Sequence, residues 1–288
     1  MDHAGLSASQ TDRISRPNLV QELRLKCFVV ADRYVNRFVR FLTLIHEGFW
    51  LGWLSPDDLN ALTAGHFDQS QFFSSNVHNR SGFFEWEREM LDRFFTQGSR
   101  VLVAGAGGGR EVLALRRSGF AAEGFDCNRV LVKASERLFD ELGESRHVIY
   151  CPPDTVPPGS PTFDALVVGW TVYTHIPTKQ RRIRFLEALR KRALENAPLL
   201  ISFFARVSSS RQDALSHRLA RFWSFFSRAR KDAVEIGDHI NYARYTHSFT
   251  EQELSEELLA AGFRITHFFE AGGFGYSVAI AEEVAEEP

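Results

Sequence analysis

Gly105, Gly107 and Gly109 stand at alternate positions in Arg100-Val101-Leu102-Val103-Ala104-Gly105-Ala106-Gly107-Gly108-Gly109-Arg110-Glu111, between a short apolar run and a helical pattern. Bare glycine backbone lets a ligand approach closely, and the N–H groups at the head of the next helix favour polar or anionic ligand groups. Taken alone, such a turn is also a common tight connection. Asp126 changes its meaning. It lies 21 positions after Gly105, at the end of the next apolar run, Phe120 to Phe125. A carboxylate there can accept hydrogen bonds from both hydroxyls of an adenosine ribose, so the pair points to a nucleotide-like cofactor.

A nicotinamide dinucleotide fits poorly, because the sixth position of its fingerprint asks for Gly or Ala and Arg110 occupies it. No tyrosine is followed by a lysine four residues on, and no Gly-Lys-Ser/Thr follows the glycines. Further along, Tyr173-Thr174-His175-Ile176-Pro177 offers a histidine. A neutral imidazole there either takes a proton from a hydroxyl acceptor or simply packs at the start of the next helix. His239 and His247 read as structural. His66 and Asp68 have no third or fourth ligand close by in sequence, so no metal centre is expected.

Strands are predicted near 100–105, 120–126, 146–150, 163–169 and 198–204, and helices near 109–118, 128–142 and 178–195, with Asn128 capping the second. Their alternation predicts an α/β fold with a mainly parallel, doubly wound sheet. Thr250 and Glu253 make a capping box for a last helix that stops at Gly262. Phe263 to Phe269 and Phe274 to Ile280 then follow with a link too short for a crossover helix, which predicts an antiparallel pair.

Upstream, Leu23, Cys27, Val30, Tyr34, Phe38, Phe41, Ile45 and Phe49 recur at helical spacing and predict a long amphipathic helix that needs a covering partner. Ser55-Pro56-Asp57-Asp58 opens another helix, and a third precedes the first strand, about Glu85 to Phe95. The expected organisation is a disordered lead-in over 1–17, a helical N-terminal cap over 18–97, a core over 98–281 with an insertion at 206–247, and an acidic tail over 282–288. In the insertion, Leu215, Leu219, Phe222, Trp223 and Phe226 form a stripe among Arg211, Arg218, Arg221, Arg228, Arg230 and Lys231. That pattern suits a lid, a plain surface helix, or a docking surface for an acidic partner or membrane.

The formal net charge of -2 argues against wholesale nucleic-acid binding, and no DNA partner is expected. The 26 phenylalanines require extensive buried aromatic surface, in a core or along an apolar pocket. Cys27, Cys127 and Cys151 form neither a disulfide framework nor a zinc motif, and no signal-like or membrane-spanning run is present, so a cytoplasmic protein is expected.

From about residue 70 to 281 the chain resembles the class I S-adenosylmethionine-dependent methyltransferases. The resemblance rests on Val101 to Gly109, on Gly124-Phe125-Asp126-Cys127-Asn128, on Phe163-Asp164-Ala165-Leu166-Val167-Val168-Gly169-Trp170, and on Phe249-Thr250 to Gly262-Phe263. It implies a Rossmann-like seven-stranded sheet with an antiparallel C-terminal strand, and S-adenosyl-L-methionine as cofactor. The cofactor-binding residues it implies are Gly105, Ala106, Gly107, Gly109, Asp126, Cys127, Asp154, Gly169 and Trp170, with Asp154 accepting from the adenine amino group. Arg80 falls in a region that often folds over the cofactor, where it either meets the methionyl carboxylate or sits in a surface loop.

Two positions depart from the family pattern. Val103 stands where an acid often helps hold the methionyl amino group, leaving Glu111 or the Gly169 carbonyl as substitutes, and Asn196-Ala197-Pro198 replaces a Pro-Gly-Gly turn. The fourth strand also lacks the Asp/Asn-Pro-Pro-Tyr/Phe motif used on exocyclic nitrogens. The Tyr173 to Pro177 stretch is similar to that of small-molecule methyltransferases. A small-molecule acceptor methylated at oxygen, with His175 as general base, is therefore expected. The competing readings are a protein or RNA acceptor docking on the basic helix, and an inactive cofactor-binding or structural homologue.

Overall fold

Residues 19–160, 162–206, 211–227 and 234–282 are described by the structure, a computed structural model. The expected lead-in, Arg228, Arg230, Lys231 and the tail after Glu282 lie outside the described residues. The chain divides into two units, one ending at Leu44 and the other beginning at Ile45.

Helix α1 (Leu19–Trp53) forms as its spacing predicts. In its first part Leu23, Val30, Tyr34, Phe38 and Phe41 are 49–66% exposed. Val20, Leu25, Phe28, Val29, Val35 and Val39 are exposed too, so apolar residues surround this segment instead of marking one buried face.

The second unit holds the sheet and helices α2 (Pro56–Gln69), α3 (Gln71–Ser74), α4 (Asn76–Asn79) and α5 (Glu85–Phe94). The second unit therefore takes in most of the segment expected as a helical cap. In α2 the cap forms as read: Ser55 Oγ accepts from the Asp58 N–H while the Asp58 carboxylate accepts from the Ser55 N–H.

Strands β1 (Arg100–Ala104), β2 (Ala121–Asp126), β3 (Val148–Tyr150), β4 (Ala165–Val168) and β5 (Pro198–Ala205) lie parallel in the order β3-β2-β1-β4-β5. Between them run α6 (Arg110–Arg117), α7 (Arg129–Leu142) and α8 (Lys179–Arg190). Side chains of a strand alternate between faces, and β1 shows the consequence. Val101 and Val103 enter one apolar layer with Met90, Val112 and Leu138, whereas Leu102 and Ala104 enter the other with Phe185, Leu189 and Leu258. The sheet is doubly wound, with helices on both faces.

After α10 (Glu251–Ala260), β8 (Phe263–Ala271) and β9 (Phe274–Ala281) form the expected antiparallel hairpin, and β9 pairs antiparallel with β5. Asn196 takes the left-handed conformation, φ 60°, at the turn where the family pattern has glycine. Asn tolerates that region better than most side chains.

Among the described residues the sheet has nine strands, two more than the expected seven. The additional pair is a hairpin inside the insertion, β6 (Asp238–Asn241) and β7 (Arg244–Phe249), joined by Tyr242-Ala243 with φ 52° and 55°. That geometry is one glycine and asparagine normally supply, so the sequence carries no hairpin signal. Phe204 of β5 pairs with Ser248 of β7 and with Phe274 of β9, so the two neighbours occupy opposite edges of β5. β4 holds the first edge only from Leu199 to Ile201. β7 therefore continues that edge past the carboxyl end of β4, over the place where open α/β sheets bind ligands. Among the described residues no helix is long and apolar enough to cross a membrane.

Candidate active site

One cavity opens at the carboxyl ends of β1, β2 and β4, and Gly105, Ala106, Gly107, Asp126, Cys127, Asp154, Trp170 and His175 all line it. The glycine turn leaves β1 through Gly105, φ 70°, where a Cβ would lie 2.5 Å from the methyls of Val172. Its amides are partly committed. The N–H groups of Gly105 and Ala106 both donate to the Phe125 carbonyl, and that of Gly107 donates to Asp126 Oδ2 at 2.8 Å. The turn thus serves close backbone approach more than anion capture. Asp126 Oδ1 accepts from the Asn128 N–H at 2.7 Å. Burial pushes the Asp126 carboxyl up to about 6, against these two N–H groups, which favour its ionised form.

Beside the turn sits a buried ionic cluster. Arg110, 2% exposed, donates from Nη1 and Nη2 to Glu87 at 2.7 and 2.6 Å, from Nη2 to Glu111 Oε1 at 2.7 Å, and from Nη1 to the Gly82 carbonyl at 2.9 Å. Burial opposes the Arg110 charge, but the carboxylates of Glu111 and Glu87 outweigh it and hold the guanidinium more firmly protonated. Burial pushes the Glu87 carboxyl above its ordinary range. Glu111 Oε1 also accepts from the Trp170 N–H at 3.3 Å. Among the described residues both bonds to this carboxylate land on Oε1, which leaves Oε2 for a ligand in the cavity that Glu111 lines.

At the other end, β4 passes into a 3-10 turn, Val172–His175, tied to β5 where Thr171 N–H donates to Ser202 Oγ and Phe204 N–H donates to Thr174 Oγ1. His175 Nδ1 lies 2.9 Å from the Tyr245 carbonyl of β7. A carbonyl only accepts, so Nδ1 carries the proton and Nε2 the lone pair. Burial pulls the His175 pKa down to about 4, with Arg244 and His66 adding to the effect against the Tyr245 hydrogen bond. Phe67 stacks edge-on to both His175 and Phe73, at 5.3 and 5.2 Å between centroids, and Phe73 reaches toward Trp170 at 6.3 Å. These rings make an apolar wall along the cavity.

Some expected site residues stand elsewhere. Gly109, φ 93°, is outside the cavity wall: a Cβ there would meet Phe139 and Ser135 of α7 at 3.2 and 3.3 Å, so it permits helix packing. Gly169 is also outside, since a Cβ would lie 2.5 Å from the Gly105 carbonyl, and its own carbonyl accepts from Val172 N–H. Arg80 pairs with Glu141 at 2.8 Å on the surface, while its neighbours His78 and Asn79 line the cavity. Asp154 faces the cavity with Oδ2 already bound to Asn60 Nδ2 at 2.8 Å and Arg181 Nη1 at 3.0 Å.

The insertion contributes through its hairpin and not through its helix. Among the described residues of α9 (Arg211–Ser224) none lines the cavity. Its buried contacts are Ser216 and Ala220, packed near Gly48 and Gly52, while Leu215, Phe222 and Phe226 are exposed. Sequence reasoning missed Asn60, Thr63, Phe67 and Phe73 as cavity residues, while Arg244 falls in the stretch Tyr242 to His247 whose polar groups were expected to line the pocket. Thr63 Oγ1 accepts from the Tyr245 N–H at 3.0 Å, tying α2 to β7. Nothing local in the sequence joins two segments so far apart.

Comparison with known proteins agrees with this arrangement. The methyltransferase domain family matches residues 78–268. None of the curated proteins matches the chain. Among solved structures it is similar to the 1,6-didemethyltoxoflavin-N1-methyltransferase of Burkholderia thailandensis, solved with 1,6-didemethyltoxoflavin and S-adenosylhomocysteine bound. The identity is 18% and the TM-score 0.57, covering 80% of this chain and 91% of that one. It is also similar to a S-adenosylmethionine-dependent methyltransferase from Methanosarcina mazei, at 17% identity and TM-score 0.52, covering 70% and 99%. Such identities speak for a shared fold, while the family match spans most of the chain. The chain belongs to the methyltransferase domain family and is a class I S-adenosylmethionine-dependent methyltransferase.

Proposed function

We propose that this enzyme methylates a small molecule at oxygen, with His175 taking the acceptor's proton at Nε2. The supporting observation is a single cavity that reaches from Gly105, Gly107 and Asp126 to His175 and the β7 hairpin, with apolar aromatic walls between. Bound S-adenosylmethionine supplies a methyl carbon made electrophilic by its sulfonium charge. The residues present fit that group. Asp126 offers carboxylate oxygens to ribose hydroxyls, the Gly105 to Gly107 backbone admits close contact, and Cys127, Asp154 and Trp170 complete the adenosine end. Glu87, Arg110 and Glu111 together leave one net negative charge beside the cavity, matched to an ammonium group.

Much of the rate enhancement then comes from holding the acceptor and excluding water, which Phe67, Phe73 and Trp170 accomplish without reacting. His175 stays neutral at physiological pH and keeps Nε2 free for an acceptor hydroxyl. The insertion hairpin encloses the acceptor, and the proposed setting is the cytoplasm. Calorimetric titration with S-adenosylmethionine and S-adenosylhomocysteine should give heat with both; no heat with either would refute the reading. Methyl uptake by an acceptor found by screening should be lost in His175→Ala while S-adenosylhomocysteine affinity stays as in wild type, and retained uptake would remove His175 from the chemistry.

Glu111→Gln gives a sharper check on the methionyl end. It should weaken S-adenosylhomocysteine about tenfold, the loss of one charge-assisted hydrogen bond, and leave 5′-methylthioadenosine, which lacks the amino acid, unchanged. Equal losses for the two ligands would show that Glu111 acts only through the turn.

A further inference from the structure

We infer that the acceptor carries a carboxylate and that Arg244 is its anchor, a reading that rests on the methyl transfer proposed above. Arg244 is the first residue of β7 and lines the same cavity as His175. Among the described residues it joins no ion pair, and its Nε is buried with no hydrogen-bond partner. Its neighbour is the Phe204 ring, with the guanidinium carbon 5.9 Å from the centroid. Other shielded arginines are answered: Arg110, Arg181, Arg182 and Arg206 by carboxylates, and Arg190 and Arg192, whose Nε is likewise buried without a partner, by backbone carbonyls at their Nη groups. Burial alone pulls the Arg244 pKa down, and no acid pushes it back.

A half-buried cation without a counter-charge is costly, and the protein's own acids do not relieve it. Those lining the cavity are otherwise engaged: Glu111 with Arg110, Asp154 with Arg181, and Asp126 with backbone N–H groups. The position is also held in place. Tyr245, next in the strand, is bonded through its N–H to Thr63 and through its carbonyl to His175. A planar guanidinium on a fixed strand suits bidentate pairing with a carboxylate. His175 Nε2 asks for something different, because a lone pair accepts from a neutral hydroxyl and repels an anion. The acceptor therefore presents two groups, a hydroxyl to His175 and a carboxylate to Arg244, on a flat apolar body suited to Phe67 and Trp170. An aromatic hydroxycarboxylic acid has this chemistry.

The test uses the full chain saturated with S-adenosylhomocysteine, titrated with 4-hydroxybenzoate against 4-hydroxybenzamide and with 6-hydroxy-2-naphthoate against its amide. At least one acid should bind ten times or more tighter than its amide. Arg244→Met should erase the difference, and Arg244→Lys should restore part of it. S-adenosylhomocysteine should bind Arg244→Met as it binds wild type, and the ligand-free variant should melt no lower than wild type, since an unanswered cation has been removed. Acids and amides binding alike, or neither pair binding, would overturn the inference. So would a loss of S-adenosylhomocysteine affinity in Arg244→Met, which would give Arg244 to the cofactor's own carboxylate. Failure of wild type to bind S-adenosylhomocysteine at all would instead sink the methyltransferase reading, and this one with it.

Discussion

Asp126→Ala should lower affinity for S-adenosylhomocysteine by roughly 10²–10³-fold, the loss of two hydrogen bonds to a charged acceptor at about 1.5–3 kcal/mol each, discounted for partial rescue by water. Those two bonds are the ones proposed to the ribose hydroxyls. Asp126 also holds the N–H groups of Gly107 and Asn128, so part of the loss could come from a loosened turn. A 2′,3′-dideoxy analogue of S-adenosylhomocysteine separates the two contributions. It should bind wild type weakly and Asp126→Ala almost equally weakly, whereas a second large drop would assign the effect to the turn. The acid range gives an independent check. Burial raises this carboxyl to about 6 in the free protein, and ribose hydroxyls donate to its ionised form. Affinity should therefore be full above about pH 6 and fall up to tenfold per unit below it. A flat profile from pH 5 to 8 would contradict the assignment.

How much of this was legible beforehand follows from where the interactions lie along the chain. Gly105 and Asp126 were readable because adjacent parallel strands joined by one helix bring their carboxyl ends together by rule, and Gly107 N–H bonded to Asp126 is the physical form of that rule. The cap at Ser55 and the capping box at Thr250 were readable for the same reason, being complete within four residues. Glycine marks any close approach, and at Gly109 and Gly169 the approaching groups in the structure are Phe139 and the Gly105 carbonyl. The β6–β7 hairpin went unread because Tyr242-Ala243 makes a left-handed turn without glycine or asparagine. Thr63 and Asn60 could not be placed without it, since that hairpin brings the insertion to α2. Arg80 shows the converse: a basic residue in a promising segment is drawn to Glu141 of α7 instead.

Glu257→Ala should destabilise the protein by about 3–5 kcal/mol, the usual result of removing one partner from a buried ion pair, and lower its melting temperature by about 5–10 °C. Glu257 and Arg182 are 1% and 0% exposed. The guanidinium donates to Glu257 from Nε at 2.9 Å and from Nη2 at 2.6 Å, and Tyr173 Oη donates to Glu257 Oε2 at 2.6 Å. Glu235 of the insertion also pairs with Arg182, so the charge is not left wholly alone, which favours the lower part of the range. Burial and the Glu257 charge push the Tyr173 hydroxyl pKa upward, so it remains a neutral donor. If pairing rather than volume matters, Arg182→Met combined with Glu257→Leu should melt nearer to wild type than Glu257→Ala, because both charges leave together. A double variant as unstable as the single one would show that shape dominates. The cluster also bears on chemistry, since Tyr173 lies inside the 3-10 turn that carries His175. Tyr173→Phe keeps the ring stacked on Phe249 and removes only the hydroxyl bond. It should leave S-adenosylhomocysteine affinity unchanged while lowering acceptor turnover, because the turn that aims His175 loses its tie to α10 and the glycine turn does not.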